Sequence, residues 1–180
     1  MLKIIFPKWE GYDSINNLFI NTKEQMLQLE HSLVSISKWE MKWLKPFLLK
    51  SAKSEEEAKD YIRCMTLTQN VDPNVYMALT PENIQQVNKY IDSPMTATTI
   101  SNINKSSGDK QILTNEVIYY LMIHYGIPFE CQKWHLNRLL TLINVCKIKN
   151  EPQQKIPEAE LARQYRALNE ARRKKYNSRG

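Results

Sequence analysis

The spacing of apolar positions changes along the chain, from alternation near the start to steps of three and four further on. Alternation marks strands and the longer step marks helices, so the change predicts the layout of the fold. Leu2-Lys-Ile-Ile-Phe6 is β-branched and aromatic and stops at Pro7, which suits a short edge strand. Residues 15–20 and 26–39 read as two further strand runs. In the second, Leu27, Leu29, His31 and Leu33 point one way while Val34 and Ile36 point the other, as a bulge would give. Residues 1–40 are therefore expected to form a small antiparallel β region.

Helical signals take over from there. Trp39 and Trp43 stand at helical spacing before Lys45-Pro46-Phe47 interrupts. Ser54, with Glu57 three residues on and acids crowding the first turn, predicts a capped helix over 55–66. Asp72-Pro73 opens a short helical turn through Leu79, and Thr80-Pro81-Glu82-Asn83 opens a helix to Ile91. Residues 92–109 have no period and read as an exposed loop. Thr114 is placed to cap a helix to Tyr125, which Gly126 ends. Leu136, Leu139, Leu140, Ile143 and Cys146 predict a helix over 129–147, paired with 114–125 as an antiparallel hairpin. A linker over 149–157 and an amphipathic helix over 158–176, with Leu161, Tyr165 and Leu168 as its stripe, complete the reading.

The expected fold class is α+β, mainly α: a small N-terminal antiparallel β region, a helical core containing a helix hairpin, and a C-terminal basic helix. The expected domain spans 1–148, β-rich over 1–40 and helical over 41–148, with 149–180 as linker and tail. The chain has 180 residues, which is one domain's length, and four Trp and nine Tyr supply bulky core material. No run reaches the roughly 18 apolar residues that cross a bilayer, and the start is charged too soon for a signal peptide. The cytoplasm of the producing cell is the expected location, with no membrane partner. The three cysteines lie in apolar helical stretches and read as free thiols. The net charge of +6 resides in the tail, where ten Lys/Arg from Lys147 onward face four acids; the rest of the chain is balanced.

Candidate chemistry is sparse. Cys131 and His135, four apart, could reach the same face of a helix as metal ligands or as a thiol–imidazole pair. Two ligands are not a metal site, neither His31 nor His124 has a companion at ligand spacing, and nothing nearby suggests an oxyanion hole. Glu55, Glu56 and Glu57 read as a capping turn rather than an acid–base pair. Only four glycines are present, too few for a phosphate-cradling loop, so no cofactor is expected. Arg163, Arg166, Arg172, Arg173, Lys174 and Lys175 could neutralise phosphates, which keeps nucleic acid as an alternative partner. The bulky residues Trp39, Trp43, Tyr120, Trp134, Leu161, Tyr165 and Leu168 are the candidate protein-binding set. Protein binding without catalysis is the expected function.

Three stretches carry a resemblance: Leu29-Glu-His-Ser-Leu-Val-Ser-Ile-Ser-Lys-Trp-Glu40, Asp60-Tyr-Ile-Arg-Cys-Met-Thr66 and Phe129-Glu-Cys-Gln-Lys-Trp-His-Leu-Asn-Arg-Leu-Leu140. Together they resemble proteins of the tail assembly chaperone type, encoded in the tail-morphogenesis regions of bacteriophages. The resemblance implies a non-enzymatic protein of the host cytoplasm. It would bind the long hydrophobic tape-measure protein, or other tail proteins, until tube subunits replace it. Self-association through an edge strand is compatible with that role. A structural component of the tail or baseplate that stays in the virion is the first alternative.

Overall fold

A computed structural model of the chain describes residues 1–13, 17–49, 51–98 and 112–150, together with 162–163, 165–166, 168–170 and 172–173. The architecture is α+β and mainly α, with the strands gathered near the N-terminus. Two compact units result, Met1–Lys147 and Ile148–Gly180.

The first unit opens with a ribbon of four short strands: β1 (Leu2–Phe6), β2 (Trp9–Asp13), β3 (Leu18–Thr22) and β4 (Gln25–Leu29). β1 pairs antiparallel with β4, and β2 pairs antiparallel with β3. The register runs through both pairs without a slip. Phe6 faces Gln25, and three residues further along each strand Trp9 faces Thr22. The ribbon is therefore one long hairpin, interrupted beside Pro7, whose ring nitrogen carries no hydrogen to continue a ladder. Ile4, Phe6, Leu27 and Leu29 form its buried face. The strand Trp9–Asp13 was not foreseen, because Glu, Gly and Asp are poor strand formers. Gly11 is required there: a Cβ would lie 2.1 Å from the Trp9 indole that packs across it.

Both edges of the β1–β4 pair are managed. On one side the backbone after the second helix closes on β4, through Leu67 N–H to Gln28 O at 2.8 Å and Glu30 N–H to Met65 O at 2.9 Å. On the other, the Asn83 side-chain amide donates to Ile5 O at 3.3 Å. That carbonyl is one an added strand would have used, so Asn83 blunts the edge proposed for self-association.

The strand run expected over 26–39 ends at Leu29. Residues Leu33–Trp43 form a helix, α1, which corrects the β-rich reading of 33–40. Ser32 and Ser35 make a reciprocal capping box, with Ser35 N–H to Ser32 Oγ at 3.3 Å and Ser32 N–H to Ser35 Oγ at 2.9 Å. What resembled a bulge is the switch of period from strand to helix. Leu33, Ile36, Trp39 and Glu40 then share the buried face.

The next helices follow their sequence signals. α2 (Glu55–Met65) carries the Ser54/Glu57 capping box, a 3-10 turn covers Pro73–Ala78, and α3 (Pro81–Ile91) begins on Thr80 with Pro81 in its first turn. α4 (Asn115–His124) ends in a left-handed Gly126 with φ +64°. There Ile127 N–H bonds Met122 O and Gly126 N–H bonds Ile123 O, closing the helix end.

The helix expected over 129–147 divides. Phe129–Lys133 is a 3-10 turn, Trp134 is extended, and α5 runs Leu136–Asn150, past the residues expected to begin the linker. A non-local contact causes the break: His135 bridges Ser32, and Leu136 N–H donates to His31 O at 2.7 Å, which holds the backbone extended. α1 is the hub of the unit, packed by α2, α4 and the Phe129–Lys133 turn.

In the second unit every described residue is helical: 148–150 end α5, and the others fall inside the expected helix 158–176. Leu161, Lys174 and Lys175 lie outside the described residues, as do 99–109 of the expected loop and 151–157 of the expected linker. Among the described residues no helix is long and apolar enough to cross a membrane.

Candidate protein-binding site

α1 ends at Leu44, which adopts the left-handed conformation with φ 54° and points its side chain outward, 87% exposed. Met41, one turn earlier, is 75% exposed. The chain then turns at Pro46 and buries Phe47. The floor beneath this corner is Glu40, a buried carboxylate that makes no ion pair among the described residues. It accepts from Phe47 N–H at 2.7 Å, from Asn115 N–H at 2.9 Å and from the Asn115 side-chain amide at 2.6 Å. One carboxylate thus ties the end of α1 to the turn and to the first residue of α4.

Thr114 itself makes no side-chain cap hydrogen bond. Glu40 has taken the first amide of α4. The Glu116 carboxyl is held below its usual range by its own backbone N–H and the Thr114 hydroxyl. Between the two helix ends lies a cleft of about 430 Å³, lined in part by Glu40, Met41, Leu44, Pro46, Thr114 and Glu116.

The cleft continues as a surface track along α4. Glu116, Tyr120 and Ile123 follow at steps of four and three on the helix face away from buried Asn115, Ile118 and Met122. Tyr120 is 63% exposed and stacks on His124, with ring centres 6.0 Å apart; Ile123 is 65% exposed. α4 is apolar on nearly every side, and the side that carries Tyr120 and Ile123 is left exposed. A separate aromatic pair, Tyr12 with exposed Phe19 at 4.9 Å, stands on the β2–β3 hairpin.

The expected binding residues are not one surface. Tyr120 is on the track. Trp39 is 1% exposed and donates through its indole to Glu57 O at 2.9 Å, so it has no surface to offer a partner and its assignment is corrected to core. Trp43 is half-buried on Trp39, with its indole on Asp60 at 2.9 Å. Burial pushes the Asp60 carboxyl up, but hydrogen bonds from Lys42 and Trp43 and the charge of Arg63 outweigh it, leaving it below its usual range. Trp134 is half-buried beneath the Arg138 guanidinium, 4.0 Å from the ring centre. Tyr165 and Leu168, with Arg163, Arg166, Arg172 and Arg173, are exposed on the second unit.

Met41, Leu44 and Ile123 escaped the sequence reading. The available signal was the all-round apolar run Val117-Ile-Tyr-Tyr-Leu-Met-Ile, which exceeds what one core contact needs.

The Cys131/His135 pair is not brought together on an α-helix, since Cys131 sits in the 3-10 turn and His135 precedes α5. His135 instead meets His31, with ring centres 5.1 Å apart in the core. Tyr61 hydrogen-bonds His31 at Nδ1, and Tyr90 donates to Glu30 at 2.7 Å. Burial, and then the proximity of His135, push His31 down to about 3. Among the described residues no group of three His, Cys, Asp or Glu side chains could hold a metal ion. Set against models of known protein families, curated proteins and solved structures, the chain matches none of them.

Proposed function

We propose that this chain is a non-catalytic binding protein that shelters an apolar segment of another protein, as a phage tail assembly chaperone shelters a tape-measure protein. The observation that carries the reading is the track from Met41 and Leu44 to Tyr120 and Ile123, a mostly apolar stripe that Glu116 interrupts. A helical client segment would lay its own apolar side along α4 and seat one bulky residue in the cleft. The resemblance to tail chaperones names the client class; the track supplies the surface.

Co-expression with a tape-measure protein from the same genome tests this, with Leu44→Asn and Ile123→Lys as variants. Both positions are exposed and asparagine tolerates the left-handed backbone at Leu44, so stability should move by no more than about 0.5 kcal/mol. Each variant is expected to weaken the complex about tenfold or more. Undiminished binding would move the site off the track. Recovery of the protein in purified particles, without a soluble client complex, would favour a virion component.

A second reading rests on the helix of the second unit. At helical spacing Arg163, Arg166 and Arg173 share one stripe, while Tyr165, Leu168 and Arg172 share the other side. Arginine on both sides suits a single-stranded nucleic acid, with Tyr165 stacking on a base. Binding of an oligonucleotide should weaken with salt. Replacing Arg163, Arg166 and Arg173 by Gln should flatten that dependence by about two units of slope. A salt-independent interaction would remove this reading.

A further inference from the structure

We propose that His135 and Asn137 form an acid-released latch that fastens the C-terminal end of α3 to the start of α5. The latch is built from four hydrogen bonds. His135 Nε2 donates to Tyr90 O at 3.0 Å, because a backbone carbonyl can only accept. Its Nδ1 accepts from Asn137 N–H at 3.3 Å. The Asn137 side-chain amide then donates to Ile91 O at 2.9 Å and Ser93 O at 2.8 Å. These carbonyls lie at and just past the end of α3, where a helix leaves acceptors in need of partners; Tyr90 O also accepts from Ser93 N–H at 3.1 Å.

Both imidazole nitrogens are therefore committed, and only the neutral tautomer with hydrogen on Nε2 satisfies them. A second proton must go to Nδ1, where it faces the N–H of Asn137, donor against donor. Asn137 is driven off, and its side chain is the one that holds Ile91 and Ser93. Protonation at one atom thus removes the cap at the far end of the same residue pair.

The groups facing His135 act in both directions. The Tyr90 ring packs edge-on at 4.9 Å and the His31 ring at 5.1 Å. Tyr61 from α2 and Ser35 from α1 close the far side of His31, both uncharged. Glu30 favours a cation at His135, and the Met1 amino group, 3.0 Å from Glu30, opposes it. Burial is the largest influence on His135 and lowers its affinity for a proton below the ordinary imidazole value. An unfolded chain binds that proton near pH 6.5, so the latch is fully effective above that value and loses hold as the pH falls below it. Each pH unit through this window favours the released form by up to tenfold per imidazole. Asp60 and Glu57 do not confuse the window, since both are held below the usual carboxylate range.

Amide hydrogen exchange of the full chain at pH 7.5 and 5.0, corrected for intrinsic rates, reads the latch directly. Protection across residues 87–98 should fall by about tenfold or more at pH 5.0. His135→Gln keeps a donor for Tyr90 O and cannot take up a proton, so it should reduce that pH dependence to the part that His31 carries. Asn137→Ala should lower protection at residues 91–93 at both pH values. Should His135→Gln fail to fold, the side-chain 15N shifts of His135 in the unaltered chain at pH 7.5 decide the matter. A hydrogen on Nδ1, or a charged ring, would overturn the proposal. So would an acid response in His135→Gln equal to that of the parent.

Discussion

Trp39→Ala is expected to lower folding stability by about 4 kcal/mol, the largest loss from any single truncation among the described residues. Trp39 is 1% exposed and is the largest of the fully buried side chains. Its ring stacks on Trp43 at 6.2 Å and meets Phe47 edge-on at 5.2 Å, while Phe47 lies 4.0 Å from the Tyr61 ring centre. Lys53 covers the cluster from outside, with its amine 4.4 Å from the Phe47 ring centre. Alanine would leave a cavity walled by rigid rings that cannot collapse into it, and would strip Glu57 O of its indole donor. Since domains of this size hold roughly 5–15 kcal/mol in all, the variant should melt about 10 °C lower. Urea unfolding followed by circular dichroism checks it, with half-buried Trp43→Ala as the comparison at about half the loss. A Trp39→Ala loss below 1 kcal/mol would mean the indole is not part of the core.

Glu40 should come next. Its carboxylate is the meeting point of three N–H donors from two other segments. Glu40→Ala leaves those donors buried without partners and should cost about 3 kcal/mol. Glu40→Gln is the sharper experiment, because it keeps the shape. Its amide nitrogen must face a donor on one side or the other, so the expected loss is still about 2 kcal/mol. If Gln were neutral, the Phe47 and Asn115 bonds would not be carrying the joint. The same variants should weaken client binding beyond their effect on stability, because Glu40 sets the position of Leu44 relative to α4. Measuring binding well below the melting range of each variant separates the two effects.

The helix ends were legible in the sequence wherever a short-range signal controls them. Ser54 with Glu57, Thr80 with Pro81 and Asn83, and Gly126 after His124-Tyr125 all act within a few residues, so spacing alone located α2, α3 and the end of α4. Edge strand β1 was legible for the same reason, since Pro7 terminates it locally. The fold class followed from these elements.

Where the reading failed, the deciding contact was distant in sequence. Residues 33–40 carry β-branched Val34 and Ile36, and their intrinsic preference favours a strand; packing of α1 against α2 and α4 overrode it, helped by the Ser32/Ser35 box, the one local signal among these. The break before α5 depends on His31 and Ser32, about a hundred positions earlier in the chain. The exposed track shows the same division. Sequence could nominate Tyr120 and Trp39 alike as large and apolar. Only packing decides that Trp39 is enclosed while Met41, Leu44 and Ile123 are left outside. Local hydrogen bonding and apolar period therefore determined which segments are helix or strand at their ends. Tertiary packing decided which of their faces remain for a partner, because exposure is a property of what lies opposite a side chain and not of the side chain itself.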